Sequence, residues 1–245
     1  ASVSYKFKGG ANFARTGYDY LNAHDYIYYN RLGYQRTGRS GMDNQMGYGI
    51  GNDLFDIRYL DDSTKGLLAE GWQQMQDPTD PNKQILFKDY SGQMKDAAFQ
   101  DPSFTQDHYI NITGGNDKGT FAASLGYYKE DGLIKGTSYE RFSGTFNGSY
   151  KIFPILTVNA GTTYTWSRQP GLWIGSYEFF YRTMSQRPTW NPYMEDGSPA
   201  SGFGTGDGNP LYYKDKLTNT NGTRRSTYNI GFDLEIIPKK LILKE

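Results

Sequence analysis

Strict alternation of apolar and small polar residues constrains the fold of this 245-residue chain more than any other feature. Over residues 156–166, larger side chains such as Val158 and Tyr164 alternate with small polar ones such as Thr157. Successive side chains of a β-strand point to opposite faces, whereas those of a helix recur about every 3.6 residues. The period therefore predicts strands with one apolar and one polar face.

The same period predicts six antiparallel strands, and a possible seventh begins at Leu241. We expect strands over residues 1–14, 106–114, 118–129, 138–152, 155–168 and 224–237. Tight turns separate some of them, whereas residues 15–105 and 169–223 form long loops that leave one end of the strands. At least four strands reach the roughly 9–11 residues that a tilted strand needs to cross a bilayer. Short turns at one end and long loops at the other are typical of outer-membrane barrels.

The long loops carry helix signals of their own. Asn22 is placed to cap a helix over residues 25–31, and Ser176 precedes another over residues 177–184. A third helix is expected after residues 63–64, with one face formed by Leu68, Trp72 and Met75. Because a structureless connection of about 90 residues is uncommon in a compact domain, we expect the loops to be packed lids.

Composition excludes several classes of protein. The chain has 26 basic and 26 acidic residues, so its charge provides no reason to expect nucleic acid as a partner. It has no cysteine, which excludes disulfides and thiolate metal sites. No run of eighteen apolar residues predicts a membrane-spanning helix, but barrel strands hide their apolar surface in alternation.

Catalytic and metal sites find little support in the sequence. The only histidines are His24 and His108, and we expect both to be structural, so the chain is not predicted to be an enzyme. No cofactor is expected. The loop acids lack the spacing of a calcium site and are expected to be solvated; they are Asp61, Asp62, Asp77 and Asp80.

Aromatic residues crowd the long loops and provide the candidate contact sites. The candidates for contact with a ligand or a partner protein are Trp72, Trp173, Tyr177 and Trp190. Exposed rings at a pore mouth can stack on sugars or contact peptide side chains. For any single ring, packing against another loop or a lid protein is the favoured alternative, because large rings mostly bury themselves.

A series of single residues and short sequence segments occurs in a fixed order along the chain, and they are most closely spaced over residues 106–166. It comprises Trp72, Asp77, Pro78, Ile85, Phe87, Asp89, the segment DHYINITGG at 107–115, residues 119–127, Glu130, Gly132, Ile134, the segment YERF at 139–142, Gly144 and Asn147. Together these residues and segments resemble the early barrel of the SusC/RagA family of TonB-dependent outer-membrane transporters.

The resemblance implies a barrel of about 22 strands plugged by an N-terminal domain. The chain would then supply about six strands of the larger plugged barrel, with the plug and the remaining strands outside it. By the same implication, the barrel lies in the outer membrane of a Gram-negative, Bacteroidetes-like cell and pairs with a SusD-like surface lipoprotein. It imports an oligosaccharide or a peptide with energy delivered through TonB.

Two other functions fit part of the pattern. A secreted β-rich carbohydrate-binding module would use the same aromatic rings, although packed sheets rarely carry loops of about 90 residues. A passive outer-membrane porin would share the strands but need no plug and no TonB. All three hypotheses predict an all-β protein. The importer and the porin, which are both barrels, also predict contact with a lipid bilayer.

Overall fold

A computed structural model describes residues 1–15, 20–39, 57–201, 208–214, 219–237 and 241–244. The chain divides into two compact units. The long-strand unit consists of Ala1–Ala14, Gln100–Gly171 and Asn219–Glu245, and the loop unit consists of Arg15–Phe99 and Leu172–Thr218.

The described residues form ten strands and four α-helices. The strands are β1 (Ser2–Asn12), β2 (Ile57–Tyr59), β3 (Gln73–Gln76), β4 (Gln84–Phe87), β5 (Ser103–Asn116), β6 (Gly119–Asp131), β7 (Ser138–Phe153), β8 (Leu156–Gly171), β9 (Asn219–Ile237) and β10 (Leu241–Lys244). The helices are α1 (Ala23–Thr37), α2 (Gln93–Ala98), α3 (Ser176–Met184) and α4 (Pro210–Lys214).

The long-strand unit is a single antiparallel sheet. Its described strands follow the order β1-β5-β6-β7-β8-β9-β10, which comprises the six expected strands and the possible seventh at Leu241. The all-β prediction is confirmed, and each of the six predicted strands is present. Strand β9 begins at Asn219 rather than at residue 224, because its polar first residues continue the ladder by pairing with the end of β8 at Gly171.

The register places most of the large apolar side chains of this sheet on one face. Ile110 is paired with Leu125, Leu125 with Gly144, and Gly144 with Tyr164. The apolar face is open to solvent in places, with Ile230 at 83% exposure. The apolar face also contains Val3, Tyr5, Phe7, Ile112, Phe121, Phe142, Phe146, Tyr150, Val158, Trp166, Tyr228 and Phe232.

Gly161 sits where the polar face is most crowded. It pairs with Asn147 on β7 and with Asn229 on β9. A Cβ atom at this position would lie 2.6 Å from Asn147 Oδ1 and would also collide with the Asn229 side chain. The two asparagines therefore fill the space above the glycine, and this row requires a residue without a side chain.

The loop unit has its own small core. Strands β2, β4 and β3 form a three-stranded antiparallel sheet within residues 15–105, a range predicted to be loop. Such short strands carry too few residues for an alternating period to show. The buried side chains that α1 and this sheet bring together are Ala23, Ile27, Ile57, Met75, Ile85 and Phe87.

Helix α1 begins at the cap predicted for it. Asn22 Oδ1 accepts a hydrogen bond from the backbone N–H of Asp25 at 2.8 Å. The helix continues beyond the predicted residues 25–31 and ends at Gly38, whose φ of 62° is the left-handed conformation that favours glycine. Helix α3 occupies Ser176–Met184, as predicted.

The predicted helix after residues 63–64 is only partly present. A 3₁₀ helix covers Lys65–Glu70 and ends at Gly71, whose φ is 84°. Met75 lies in β3, so it shares no helical face with Leu68. At the other end, Thr64 Oγ1 donates to Tyr59 O at 2.8 Å and makes no capping hydrogen bond to the helix. None of the helices in the described ranges is long and apolar enough to span a bilayer.

Candidate functional site

The polar face of the long-strand sheet is lined by rows of small uncharged side chains. Asn111 pairs with Ser124, Ser124 with Thr145, and Thr145 with Thr163. The row continues through Ser4 on β1 and Thr227 on β9. Hydroxyl and amide groups both donate and accept hydrogen bonds, so this face can contact a polar solute without holding a fixed charge against it.

The loop unit contains a separate cavity of about 350 Å³. Its wall includes the start of α1, the segment before α2 and the end of α3. The side chains that line it include Leu21, Tyr26, Tyr90, Met94, Lys95, Thr183, Arg187, Trp190, Pro192 and Asn209. Cavities of this size are typical of small-ligand sites.

Backbone and side-chain hydrogen bonds hold the cavity wall together. The N–H of Tyr90 donates to Pro188 O at 2.7 Å, which joins the segment before α2 to the segment after α3. Asn209 is buried, donates from Nδ2 to Pro192 O at 2.8 Å, and accepts from the N–H of Leu211 at 3.0 Å. Asn209 therefore anchors two segments at once.

The cavity is apolar with a cationic margin. The Arg187 guanidinium lies 5.0 Å from the centre of the Trp190 ring, within the range of a cation–π interaction. Burial raises the pKa of Tyr26, and nearby Arg187 partly opposes that shift, so the phenol remains a neutral hydrogen-bond donor at physiological pH. None of the described residues lining the cavity is acidic. Apolar or anionic groups would fit this chemistry.

The four aromatic candidates from the sequence do not converge on one site. Trp190 is 9% exposed and lines the cavity. Trp173 is half-buried, with its ring centre 4.8 Å from that of Tyr213. Tyr177 is 81% exposed on α3. Trp72 is buried beneath Lys88, whose Nζ lies 5.5 Å from the ring centre, so packing fits Trp72 best.

Several cavity residues escaped sequence reasoning. Tyr26, Arg187 and Asn209 are brought together from segments far apart in the chain, and no period or motif links them. The dipeptide Asn209-Pro210 was the one available signal, because asparagine before proline favours a turn and Pro210 opens α4.

One of the loop acids expected to be solvated is instead buried. Asp77 accepts hydrogen bonds from Arg31 Nη2 at 2.6 Å and from the Thr79 hydroxyl at 2.7 Å. Burial alone would raise the pKa of Asp77, but the hydrogen bonds from Arg31 and Thr79 outweigh it and hold the pKa below its ordinary value. The role of this pair is to join α1 to the end of β3.

The two histidines belong to different units. His108 lies on the apolar face, where its Nδ1 is 2.7 Å from Tyr5 Oη and its ring packs against Phe7. His24 sits in the first turn of α1 beside Asp25. Within the described ranges, no three side chains of the metal-binding types form a cluster.

The fold is that of an all-β protein built on long antiparallel strands. Two solved structures, both of a RagAB peptide importer, resemble the chain over 99% of its length. The "closed-closed" state has 16% sequence identity and a TM-score of 0.61, and the "open-open" state has 17% and 0.60. The chain spans about a quarter of those chains, 27% and 26%. At these identities the likeness is one of fold.

Two other comparisons gave no relatives. No protein-family model matches the chain, and no curated protein matches it.

Proposed function

We propose that the chain forms part of the barrel wall of a SusC/RagA-type outer-membrane importer whose substrate is a peptide. The observation that carries the proposal is the two-faced sheet, with its apolar residues on one side and neutral polar rows on the other. Such a sheet separates lipid from an aqueous lumen. The fold likeness to the peptide importer over 99% of the chain supports the same assignment.

The dimensions of the apolar face suit a bilayer. On β7 the aromatic side chains run from Phe142 to Tyr150, which is about 26 Å along a strand at roughly 3.3 Å per residue. With a strand tilt of about 40°, this band is about 20 Å tall, close to the roughly 25 Å apolar band of outer-membrane barrels. Trp166 pairs with Phe142 at one border and Phe121 lies near Tyr150 at the other, as in aromatic girdles.

The proposal includes the partners of such an importer. A SusD-like surface lipoprotein would cover the barrel, and TonB would supply energy through a plug encoded elsewhere in the protein. We place the complex in the outer membrane of a Gram-negative, Bacteroidetes-like cell. The chain would transport its ligand without catalysing a reaction. A peptide is preferred to an oligosaccharide because the structures of similar fold are those of a peptide importer.

We assign the lipoprotein contact to Tyr177, the most exposed of the four aromatic candidates. It is 81% exposed on α3, and exposed aromatic rings are enriched at protein interfaces. We expect Tyr177→Ala to reduce co-purification of the lipoprotein without unfolding the loop unit. Tyr29→Ala is the matched control, since Tyr29 is 62% exposed on α1.

The direct test is purification of the full-length protein in detergent, followed by identification of whatever co-purifies and by binding assays with peptides and oligosaccharides. The proposal predicts a membrane protein several times larger than 27.8 kDa with a surface lipoprotein and measurable peptide binding. A soluble product that binds sugars would instead support a carbohydrate-binding module. A membrane protein without a plug domain would support a porin.

A further inference from the structure

A second groove lies on the polar face of the long-strand sheet, near the ends of the strands that lead into the long connections. It has a volume of about 320 Å³. Its charged and aromatic lining consists of Lys6, Lys8, Asp107, Tyr109, Tyr127, Tyr128 and Arg141. Unlike the uncharged rows farther along the strands, this part of the face contains a concentration of cations.

The register explains how these cations come together. Lys8 pairs with Asp107, Asp107 with Tyr128, and Tyr128 with Arg141, so the four residues form one row across β1, β5, β6 and β7. Lys6 lies two residues from Lys8 on the same face. Three steps between strands separate Lys8 from Arg141, about 14 Å between backbones, and side chains of this length can reach a shared ligand across that gap.

The positive charge of the groove is not neutralised within the described part of the chain. Lys6 and Lys8 have no acidic partner within 4.0 Å there. Arg141 lies 5.8 Å from the centre of the Tyr128 ring. The neighbouring Glu130 accepts a hydrogen bond from the Tyr128 hydroxyl at 2.7 Å, and Asp107 is the one acid among the lining residues.

Gly126 forms the open floor of the groove. It pairs with Tyr109 and Ser143, and a Cβ atom built on it would lie 2.8 Å from Ser143 Oγ. A side chain at this position would fill the space between the cations. The glycine therefore leaves room for a small group between Lys6 and Arg141.

We propose that this groove binds a carboxylate group of the transported ligand, an inference that rests on the proposed importer function. Lysine supplies a mobile point charge, arginine supplies paired donors that match the two oxygens of a carboxylate, and tyrosine hydroxyls supply neutral donors. Because the groove lies on the face assigned to the lumen, it would orient the ligand at the outer end of the barrel.

The test uses the full-length protein, purified with its co-purifying lipoprotein, and a short peptide with uncharged side chains and an acetylated N-terminus. We compare its affinity as the free acid and as the C-terminal amide. The free acid should bind at least about tenfold more tightly, since charge-assisted hydrogen bonds are the strong ones. The double variant Lys6→Gln/Lys8→Gln and the single variant Arg141→Gln should abolish that preference by lowering the affinity for the free acid to about that for the amide.

Lys151→Gln is the matched control. Lys151 lies on the same face of the same strand as Arg141, ten residues farther along and near the opposite end. The variant removes one positive charge, as Arg141→Gln does, but at a position far from the groove. It should therefore leave the preference for the free acid over the amide intact. If Lys151→Gln removes the preference as fully as Arg141→Gln, the effect belongs to the overall charge of the lumen and the groove assignment is wrong.

Two further ligands distinguish the possible sources of the carboxylate. An amidated peptide with one internal glutamate tests for recognition of an acidic side chain, and an oligosaccharide with one uronic acid tests for a sugar acid. Dependence on Lys6, Lys8 and Arg141 with any of the three carboxylates supports the groove.

The inference is overturned, while peptide import still stands, if the wild type binds acid and amide equally and if binding of the glutamate peptide and of the sugar acid does not depend on Lys6, Lys8 or Arg141. If neither the peptides nor the sugar acid bind the complex at all, the proposed function fails and the groove assignment fails with it.

Discussion

The side chains of Arg31 and Asp77 form a two-point ion pair inside the loop unit. Nη2 lies 2.6 Å from Oδ2 and Nε lies 3.1 Å from Oδ1, and both side chains are buried. Arg31 Nη2 also donates to Tyr59 Oη at 2.7 Å. The cluster thus connects α1, β2 and the end of β3.

Removing one partner of this pair should loosen the loop unit. In Asp77→Asn, a buried guanidinium loses its counter-charge, which in comparable buried pairs costs about 3–5 kcal/mol. Hydrogen-exchange protection of the α1 amides in the full-length protein should fall accordingly. Asp62→Asn removes an exposed partner of Lys65 and should leave that protection unchanged. Unchanged α1 protection in Asp77→Asn would show that the pair does not hold the unit together.

The same pair makes the loop unit sensitive to acid. The pKa of Asp77 is lower in the folded chain than the roughly 3.9 of an unfolded aspartate, so the folded state favours the ionised form. The stabilisation that ionised Asp77 contributes to the folded state is complete above the unfolded pKa. It is lost as the pH falls through the lower pKa of the folded state. Protection factors of α1, corrected for intrinsic exchange, should therefore fall as the pH is lowered below about 4.

The Asp77→Asn variant provides the control for this pH dependence. It lacks the titrating carboxylate, so its α1 protection should start lower and change less over the same interval. An equally steep loss of protection in the variant would assign the acid sensitivity to other groups.

The two faces of β7 should respond oppositely to a new charge. Phe146→Lys places an ammonium near the middle of the apolar face, where a lysine in lipid costs about 2–4 kcal/mol. Thr145→Lys places the same charge on the neighbouring residue, which belongs to the polar face. Folding into lipid vesicles should be impaired in the first variant and nearly normal in the second. Equal behaviour of the two variants would argue against a lipid-facing side.

Gly161 should not tolerate even a methyl group. In Gly161→Ala the new Cβ collides with the side chains of Asn147 and Asn229, and overpacking of this kind costs about 1–3 kcal/mol. Gly222→Ala is the control, because its Cβ would lie an ordinary 3.5 Å from Ser167 O. The free energy of unfolding, measured in detergent, should fall by this amount in Gly161→Ala. Adding Asn229→Ala to that variant should restore part of the lost stability. Full stability of Gly161→Ala would mean that the asparagines move aside at no cost.

The long strands were predictable because their signal is repeated along each strand. A period of two over ten or more residues identifies both the strand and its two faces. Where a tight turn joins two consecutive strands, it also predicts that those strands pair with each other. The cap at Asn22 was predictable for a similar reason, since it depends only on the next three residues.

The structure of the loop unit depends on contacts between residues far apart in the chain. Arg31 and Asp77 are separated by 46 positions in the chain. The residues next to each of them in the sequence do not distinguish it from a charged residue exposed to solvent. Strands β2, β3 and β4 are too short to show a period, so only their packing against α1 identifies them. The cavity at Trp190 likewise forms where segments far apart in the chain pack together, and no local sequence pattern predicts that packing.

The most direct test of the account is to label the two faces of β7 in the intact protein in its membrane. The chain has no cysteine, so single cysteines can be placed at Ser143 and Thr145 on the polar face and at Phe142 and Phe146 on the apolar face. We predict that a bilayer-soluble quencher reaches labels only at 142 and 146, and that a water-soluble reagent reaches only 143 and 145. Equal access of the water-soluble reagent to all four positions would contradict a membrane-spanning wall.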